Sequence, residues 1–161
     1  MLNTKTTGTI DASTISVIEG TASDVNTVYD AAGASGDKIS GLGSEEITLT
    51  DTTVSATALR NIYLDGSTVR NSGTIDASSV GTISGSIEEI NATYASSGIS
   101  GLENTNFTLS APVSASDLNA LDKKTTGIIT ANVLENVLET DLTTLVSLTN
   151  ANDNNSYTIT I

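Results

Sequence analysis

The chain of 161 residues contains no cysteine, no histidine and no tryptophan, and only one proline. Without cysteine there are no disulfides and no thiol nucleophiles. Without histidine the usual zinc sites and the commonest general base are also excluded. The missing cysteines are compatible with an oxidising exterior, although they do not fix the compartment. Large aromatics are scarce, with four Tyr and one Phe, so a core built from the 37% hydrophobic residues must be aliphatic. Positive charge is scarce too: six basic residues stand against nineteen acidic ones, for a formal charge of −13. Such a field repels phosphate backbones and anionic lipid surfaces, which argues against nucleic-acid or membrane-surface binding. Divalent cations remain possible partners, because carboxylates are hard oxygen ligands. No stretch approaches the ~20 apolar residues of a membrane span, and "MLNTKTTGTI" lacks the basic and apolar regions of a signal peptide.

What the chain does contain is itself, more than once. Residues 7–13 read "TGTIDAS" and residues 72–78 read "SGTIDAS". With Gly8 placed on Gly73, the match runs through nearly the whole of both segments, and a third copy starts at Gly127 with "TGIITANVLENVLETDLTTLVSL". The spacing falls from 65 residues to 54, and local changes account for the loss. Tyr29 to Ile39 is 10 residues where Tyr94 to Ile99 is 5, Leu59 to Gly73 is 14 where Leu118 to Gly127 is 9, and Ile47 to Val54 is 7 where Phe107 to Val113 is 6. Length therefore changes mainly in two connections, as loops tolerate and packed elements do not. Repeat one covers about 8–72, repeat two about 73–126 and a partial repeat three 127–161. Residues 1–7 resemble the tail of a preceding repeat.

Each long repeat splits into two related halves: a short β-branched run, a Ser or Thr, a helical pattern and a glycine-containing loop. The helical cores are "TASDVNTVY", "SATALRNIY", "SIEEINATY", "SASDLNAL" and "TDLTTLV". Apolar residues at i, i+3 and i+4 (Val25, Val28, Tyr29; Leu59, Ile62, Tyr63; Leu142, Leu145, Val146) form one stripe of a two-turn helix, and Ile90 with Tyr94 and Leu118 with Leu121 keep part of it. Thr21-x-x-Asp24, Ser86-x-x-Glu89 and Ser114-x-x-Asp117 resemble capping boxes, with Asp the shorter reach, while Ser55 and Thr140 occupy the equivalent N-cap positions. Helices this short need a neighbour to pack against. Strand anchors fall at Ile10, Ile47, Ile75, Phe107, Ile129 and Ile159, on average about 30 residues apart, room for one strand, one short helix and two loops. Strand–helix–strand crossovers favour parallel strands and right-handed connections. The expected fold is an α/β right-handed solenoid of about five to six coils over residues 1–161, its strands in one sheet on one side and short two-turn helices on the other. An Ig-like sandwich would need antiparallel strands and leaves five capped helical stripes unexplained. In this reading Gly8, Gly73 and Gly127 turn the chain, Ile10 and Ile75 enter the core, and Asp11 and Asp76 face away from it.

Candidate chemistry is sparse. Asp11 and Asp76 could stack into a cation ladder, but a carboxylate capping nearby N–H groups is the commoner role. Glu45-Glu46 and Glu88-Glu89 are adjacent pairs, which do not face one another and read as solvated charge. "NANDNNS" at 150–156 could ligate calcium through Asp153, yet it lacks the alternation and terminal Glu of an EF-hand and reads first as a turn. Asp11, Asp76 and Asp153 are thus the only metal candidates, with calcium the metal. Serine catalysis has no histidine to serve it, and Lys5, Lys38, Lys123 and Lys124 all lie in polar, loop-like contexts, so no enzyme is expected. Thr48/Thr50 and Thr158/Thr160 raise an ice-binding array, but Thr9 and Thr74 are followed by Asp and the coil lengths vary, so ordinary β-propensity explains the threonines better.

The phrases "TTGTIDAS", "GTASDVNTVY", "EEITLTDTTVSATAL" and "VSASDLNALD" resemble repeats of very large secreted or surface proteins of marine bacteria, especially picocyanobacteria. Such proteins are described as adhesin-like or grouped with type I secreted calcium-binding proteins. The resemblance implies an extracellular or cell-surface structural role and supplies no catalytic residues. The glycine-rich calcium nonapeptide of β-rolls is missing; "SGLGSEE" does not satisfy it. The expected function is a non-enzymatic spacer or fibre module without a cofactor. The alternative is an adhesion module binding a surface glycan or calcium. The ends carry a further expectation. "MLNTKTTG" aligns with "ALDKKTTG" at 120–127, and "SYTITI" aligns with "NFTLS" and "EEITLT". Neither looks like a polar cap. Leu2, Ile10, Tyr157, Ile159 and Ile161 are therefore the candidate assembly residues, stacking on another copy head to tail or on neighbouring repeats of a longer chain.

Overall fold

The computed structural model describes residues 6–33, 38–134 and 155–160. Helices appear where the stripes and caps place them. They are α1 (Ala22–Gly33), α2 (Ala56–Tyr63), α3 (Ile87–Tyr94) and α4 (Ala115–Asp122). The fifth stripe, 140–146, lies outside the described residues, as do Leu2, Asp153 and Ile161. Each N-cap works as its side chain allows. Ser86 and Glu89 close a full capping box: the hydroxyl accepts from Glu89 N–H and the Glu89 carboxylate accepts from Ser86 N–H. Asp24 and Asp117 are one methylene shorter, and their carboxylates instead accept from the Thr21 and Ser114 hydroxyls. Ser55 accepts from Ala58 N–H.

The strands are short and, with one exception, parallel. Ladder one joins β1 (Ile10–Asp11) to β3 (Ile39–Ser40). Ladder two runs β2 (Val17–Gly20), β4 (Glu46–Leu49), β8 (Ile75–Asp76) and β10 (Ile99–Ser100). Ladder three runs β5 (Thr53–Ser55), β9 (Thr82–Gly85), β11 (Asn106–Leu109), β12 (Ile129–Leu134) and β13 (Ser156–Thr160). Every parallel pairing joins a residue to one 20–29 positions later, from Val113 with Val133 to Val17 with Glu46. The elements repeat with the sequence: Ile10 pairs with Ile39 as Ile75 pairs with Ile99, and Ile18 pairs with Ile47 as Ile83 pairs with Phe107.

The single sheet expected from the sequence is instead three staggered ladders. Turns such as Ala12–Ser16 break each pass into separate strands, so the ladder shifts sideways along the chain. In the third copy the turn is gone. Ile129 and Val133 are only four residues apart where Ile75 and Ile83 are eight, and β12 continues straight through both positions. The two variable connections also find their form. The longer first connection extends α1 to twelve residues, against eight in α3. The longer second one folds as the antiparallel pair β6 (Leu64–Asp65) and β7 (Thr68–Val69), around Gly66 at φ 62°.

One aliphatic core runs from Ala22 to Val133 between ladders and helices. The anchors Ile47, Ile75, Phe107 and Ile129 are buried in it, as are Val25, Leu59, Ile62, Ile90, Leu118 and Leu121 from the helix stripes. Tyr94 packs edge-on against Phe107, the chain's one phenylalanine, with ring centroids 5.6 Å apart. α1 packs on α2 and α2 on α3.

Candidate functional site

The loop carboxylates come first. Asp11 accepts a hydrogen bond from Ser13 N–H at 3.0 Å, and Asp76 from Ser78 N–H at 2.9 Å, so both close the same local turn. Hydrogen bonds from Ser13 and Ser78 hold their pKa values below the ordinary Asp value. The two do not stack. Asp11 lies beside Ser40, and Asp76 lies between Thr48 and Ser100. Among the described residues no group of three or more acidic side chains is placed to hold a metal ion. Thr48 has Glu19 and Asp76 as its ladder neighbours, so no threonine row forms there.

The chain bends at Gly8, Gly73 and Gly127 as expected, although none of the three has a positive φ. The positive-φ glycines are Gly41, Gly43, Gly66 and Gly101. Gly73 and Gly127 are glycines because the backbone one ladder step earlier leaves no room for a side chain. A Cβ on Gly73 would lie 2.6 Å from the Glu45 carbonyl carbon and closer still to its oxygen, and one on Gly127 would lie 2.5 Å from the Thr105 carbonyl carbon, again closer to the oxygen. A polar residue two positions earlier braces each junction. Asn71 donates to the Glu45 carbonyl and accepts from Gly73 N–H, while the Thr125 hydroxyl donates to the Thr105 carbonyl at 2.7 Å and accepts from Gly127 N–H at 2.9 Å. Thr6 and Gly8 repeat this pattern, with Gly8 N–H donating to the Thr6 hydroxyl at 3.1 Å. A Cβ on Gly8, however, would meet only that hydroxyl among the described residues, at 3.7 Å.

Above the first junction lies a buried polar cluster that the sequence does not announce. Glu46 is exposed as expected, but Glu45 is buried. Burial alone would raise its pKa. Hydrogen bonds from the Tyr29 hydroxyl at 2.6 Å and from Gly43 and Ser44 N–H outweigh that and hold it below the usual Glu value. The Tyr29 hydroxyl is pushed up, first by burial and then by Glu45. Arg70 lies over the Tyr29 ring at 5.4 Å and forms an ion pair with Asp30. Tyr94, the equivalent tyrosine in repeat two, donates to the Leu102 carbonyl, and burial pushes its hydroxyl up to about 12. The shared tyrosine position was the available signal; the burial of Glu45 beside it was not legible.

Between α1 and α2 runs an open groove of about 500 Å³, walled by Asn26, Asp30, Asp51, Thr57, Asn61 and Arg70 among others. Asp51 reaches across to accept from Ala22 N–H at 2.6 Å, and Asn26 donates to the Ala58 carbonyl at 2.8 Å. Asn26 thus ties α1 to α2, Asp51 ties the start of α1 to the loop after β4, and Thr57 turns to Glu89 of α3. Lys38, Lys123 and Lys124 are exposed, and Lys124 donates to Asn91.

Of the candidate assembly residues, Ile10 is half-buried in the edge strand β1, Tyr157 is half-buried in β13, and Ile159 is 47% exposed rather than a buried anchor. Among the described residues β13 ends its ladder, with β12 as its one neighbour. The chain matches no family profile, and no curated protein or solved structure is detectably similar to it.

Proposed function

We propose that the chain is a structural repeat module, a stiff spacer or fibre segment of an extracellular or cell-surface assembly, and that its ladders are successive turns of a right-handed solenoid. The observation that carries this reading is the repeated junction at Gly73 and Gly127. The same backbone contact, the same brace and the same anchor pairing recur from one copy to the next. Stacked units of this kind transmit load through backbone ladders and a continuous core. The buried polar cluster serves the same end by tying α1, the Gly43–Glu45 loop and Arg70 together. The acidic surface keeps such an array soluble. An adhesion role would need a ligand face, and Asp11 and Asp76, which each accept from their own turn through one oxygen, sit at separate ladder positions and do not converge on one.

Antibodies against the chain should label intact producing cells or material shed from them. Labelling confined to permeabilised cells would overturn the surface assignment. Saturable binding on a glycan array would favour the adhesion role over the spacer role.

A further inference from the structure

The first described strand, β1, is built like one from the inside of the stack. Residues 8–13 and 73–78 share the sequence Gly-Thr-Ile-Asp-Ala-Ser, and both copies turn in the same way, with Ile15 N–H donating to Ala12 and Val80 N–H to Ala77. Their surroundings differ. Ile75 is fully buried and Val80 is 3% exposed, whereas the equivalent Ile10 is half-buried and Ile15 is 47% exposed. What buries the second copy is the strand before it: Ile47 pairs with Ile75, Thr48 with Asp76, and the Glu45 carbonyl fills the space that Gly73 leaves open. The first copy keeps the glycine, the brace and the Ile-Asp pair, with the space at Gly8 open.

The trailing edge carries the matching half. Ile159-Thr160 repeats Ile47-Thr48, and Ile159 pairs back to Val133 as Ile47 pairs back to Ile18. Its exposed side chain occupies the place from which Ile47 pairs forward to Ile75. We propose that β13 of one copy docks on β1 of a second copy in parallel, with Ile159 beside Ile10, Thr160 beside Asp11, and the Tyr157 carbonyl over Gly8. The occupant is a second copy of this chain because its two faces reproduce both sides of an internal junction. The contact is heterologous, so it propagates head to tail. This inference rests on the stacked-coil reading above.

Sedimentation of the full chain from micromolar to millimolar concentration tests it. Mass should grow with concentration as a ladder of linear oligomers. Gly8→Val fills the open space and Ile159→Asp charges the opposing strand, and each should weaken association by about tenfold or more. Both variants should still melt cooperatively when dilute, because Gly8 is exposed and Ile159 is 47% exposed, and the side chain at position 8 also stiffens the unfolded chain. Mixing the two should restore heterodimers and nothing larger, since each retains one intact face. A wild-type monomer at every concentration assigns the edge to another occupant and overturns the docking, while leaving the stacked-coil reading to its own test. A wild type that assembles, with a mixture that does not pair, overturns the head-to-tail geometry in favour of symmetric edge pairing.

Discussion

Replacing one glycine at each of two equivalent positions should give opposite results. Alanine at Gly73 puts a methyl group inside the Glu45 carbonyl, 2.6 Å from its carbon, a separation that a relaxed structure does not tolerate. The strands must part there, which strains the bond from Ile47 N–H to the Thr74 carbonyl at 2.9 Å and that from Asn71 to Glu45 at 3.0 Å. Overpacking of this kind costs about 1–3 kcal/mol and a weakened hydrogen bond about 1 kcal/mol. The stiffer unfolded chain returns about 0.4–1 kcal/mol. The net loss is about 2 kcal/mol, a fall in Tm of about 4–8 °C for a chain of this size. Among the described residues, alanine at Gly8 meets only the Thr6 hydroxyl, at 3.7 Å, so the unfolded-state effect remains and Tm rises by about 1–4 °C. Neither glycine has a positive φ, so backbone strain does not separate them. Thermal melting by circular dichroism, at concentrations low enough to keep the chain monomeric, reads both. Equal losses at the two sites would refute the claim that Gly73 is reserved for the neighbouring backbone.

Other outcomes follow from named contacts. Glu45, Asp11, Asp76 and Glu89 all have folded pKa values below their unfolded ones, so their stabilisation is present above the ordinary carboxylate range near pH 4 and is lost as pH falls through the folded values. Tm should hold from neutral pH to about 5 and fall below about 4. Glu45→Gln should lower the neutral Tm by about 2–8 °C and flatten the acid limb, whereas an unchanged acid limb would remove Glu45 from the account. Ser86→Ala removes the hydroxyl half of the capping box and should cost about 1 kcal/mol, or about 2–4 °C; no change would mean that α3 is held by packing alone. Millimolar calcium or EDTA should leave Tm unmoved, because Asp11 and Asp76 lie at separate ladder positions and do not share a ligand set; a rise of several degrees with calcium would contradict that.

Much of this architecture is legible in the sequence because it is written locally. A hydroxyl three residues before an acid starts α1, α3 and α4, Ser55 stands at the same N-cap position before α2, and the apolar stripes that follow complete the four helices, while the β-branched anchors place the strands. The length differences between copies locate the two loops. Other features depend on what lies one ladder step away, which no local pattern records. Glycine reads as a turn signal, and the chain does bend at Gly73 and Gly127, but what reserves these positions for glycine is the close approach of the neighbouring backbone. Glu45 reads as solvated beside Glu46, yet strand alternation sends one of the pair inward to meet Tyr29. The division into three ladders follows from short turns whose sequences resemble strand ends. The fusion of two strands into β12 needed only the four-residue shortening between Ile129 and Val133, a signal present in the chain but interpretable only against the pairing of Val113 with Val133.

The central claim, that this is an extensible stack, is tested most directly by lengthening it. Residues 73–126 begin and end at equivalent glycines, so further copies can be inserted before Gly127 without altering a junction. Each inserted copy adds two coils, and with strands spaced 4.7–4.9 Å it should lengthen the particle by about 10 Å at constant cross-section. Small-angle scattering on proteins carrying one, two and three inserts measures both quantities. The account predicts a maximum dimension that rises linearly while the cross-sectional radius of gyration stays fixed. A cross-section that grows with each insert, or an insert that unfolds the chain, would contradict it.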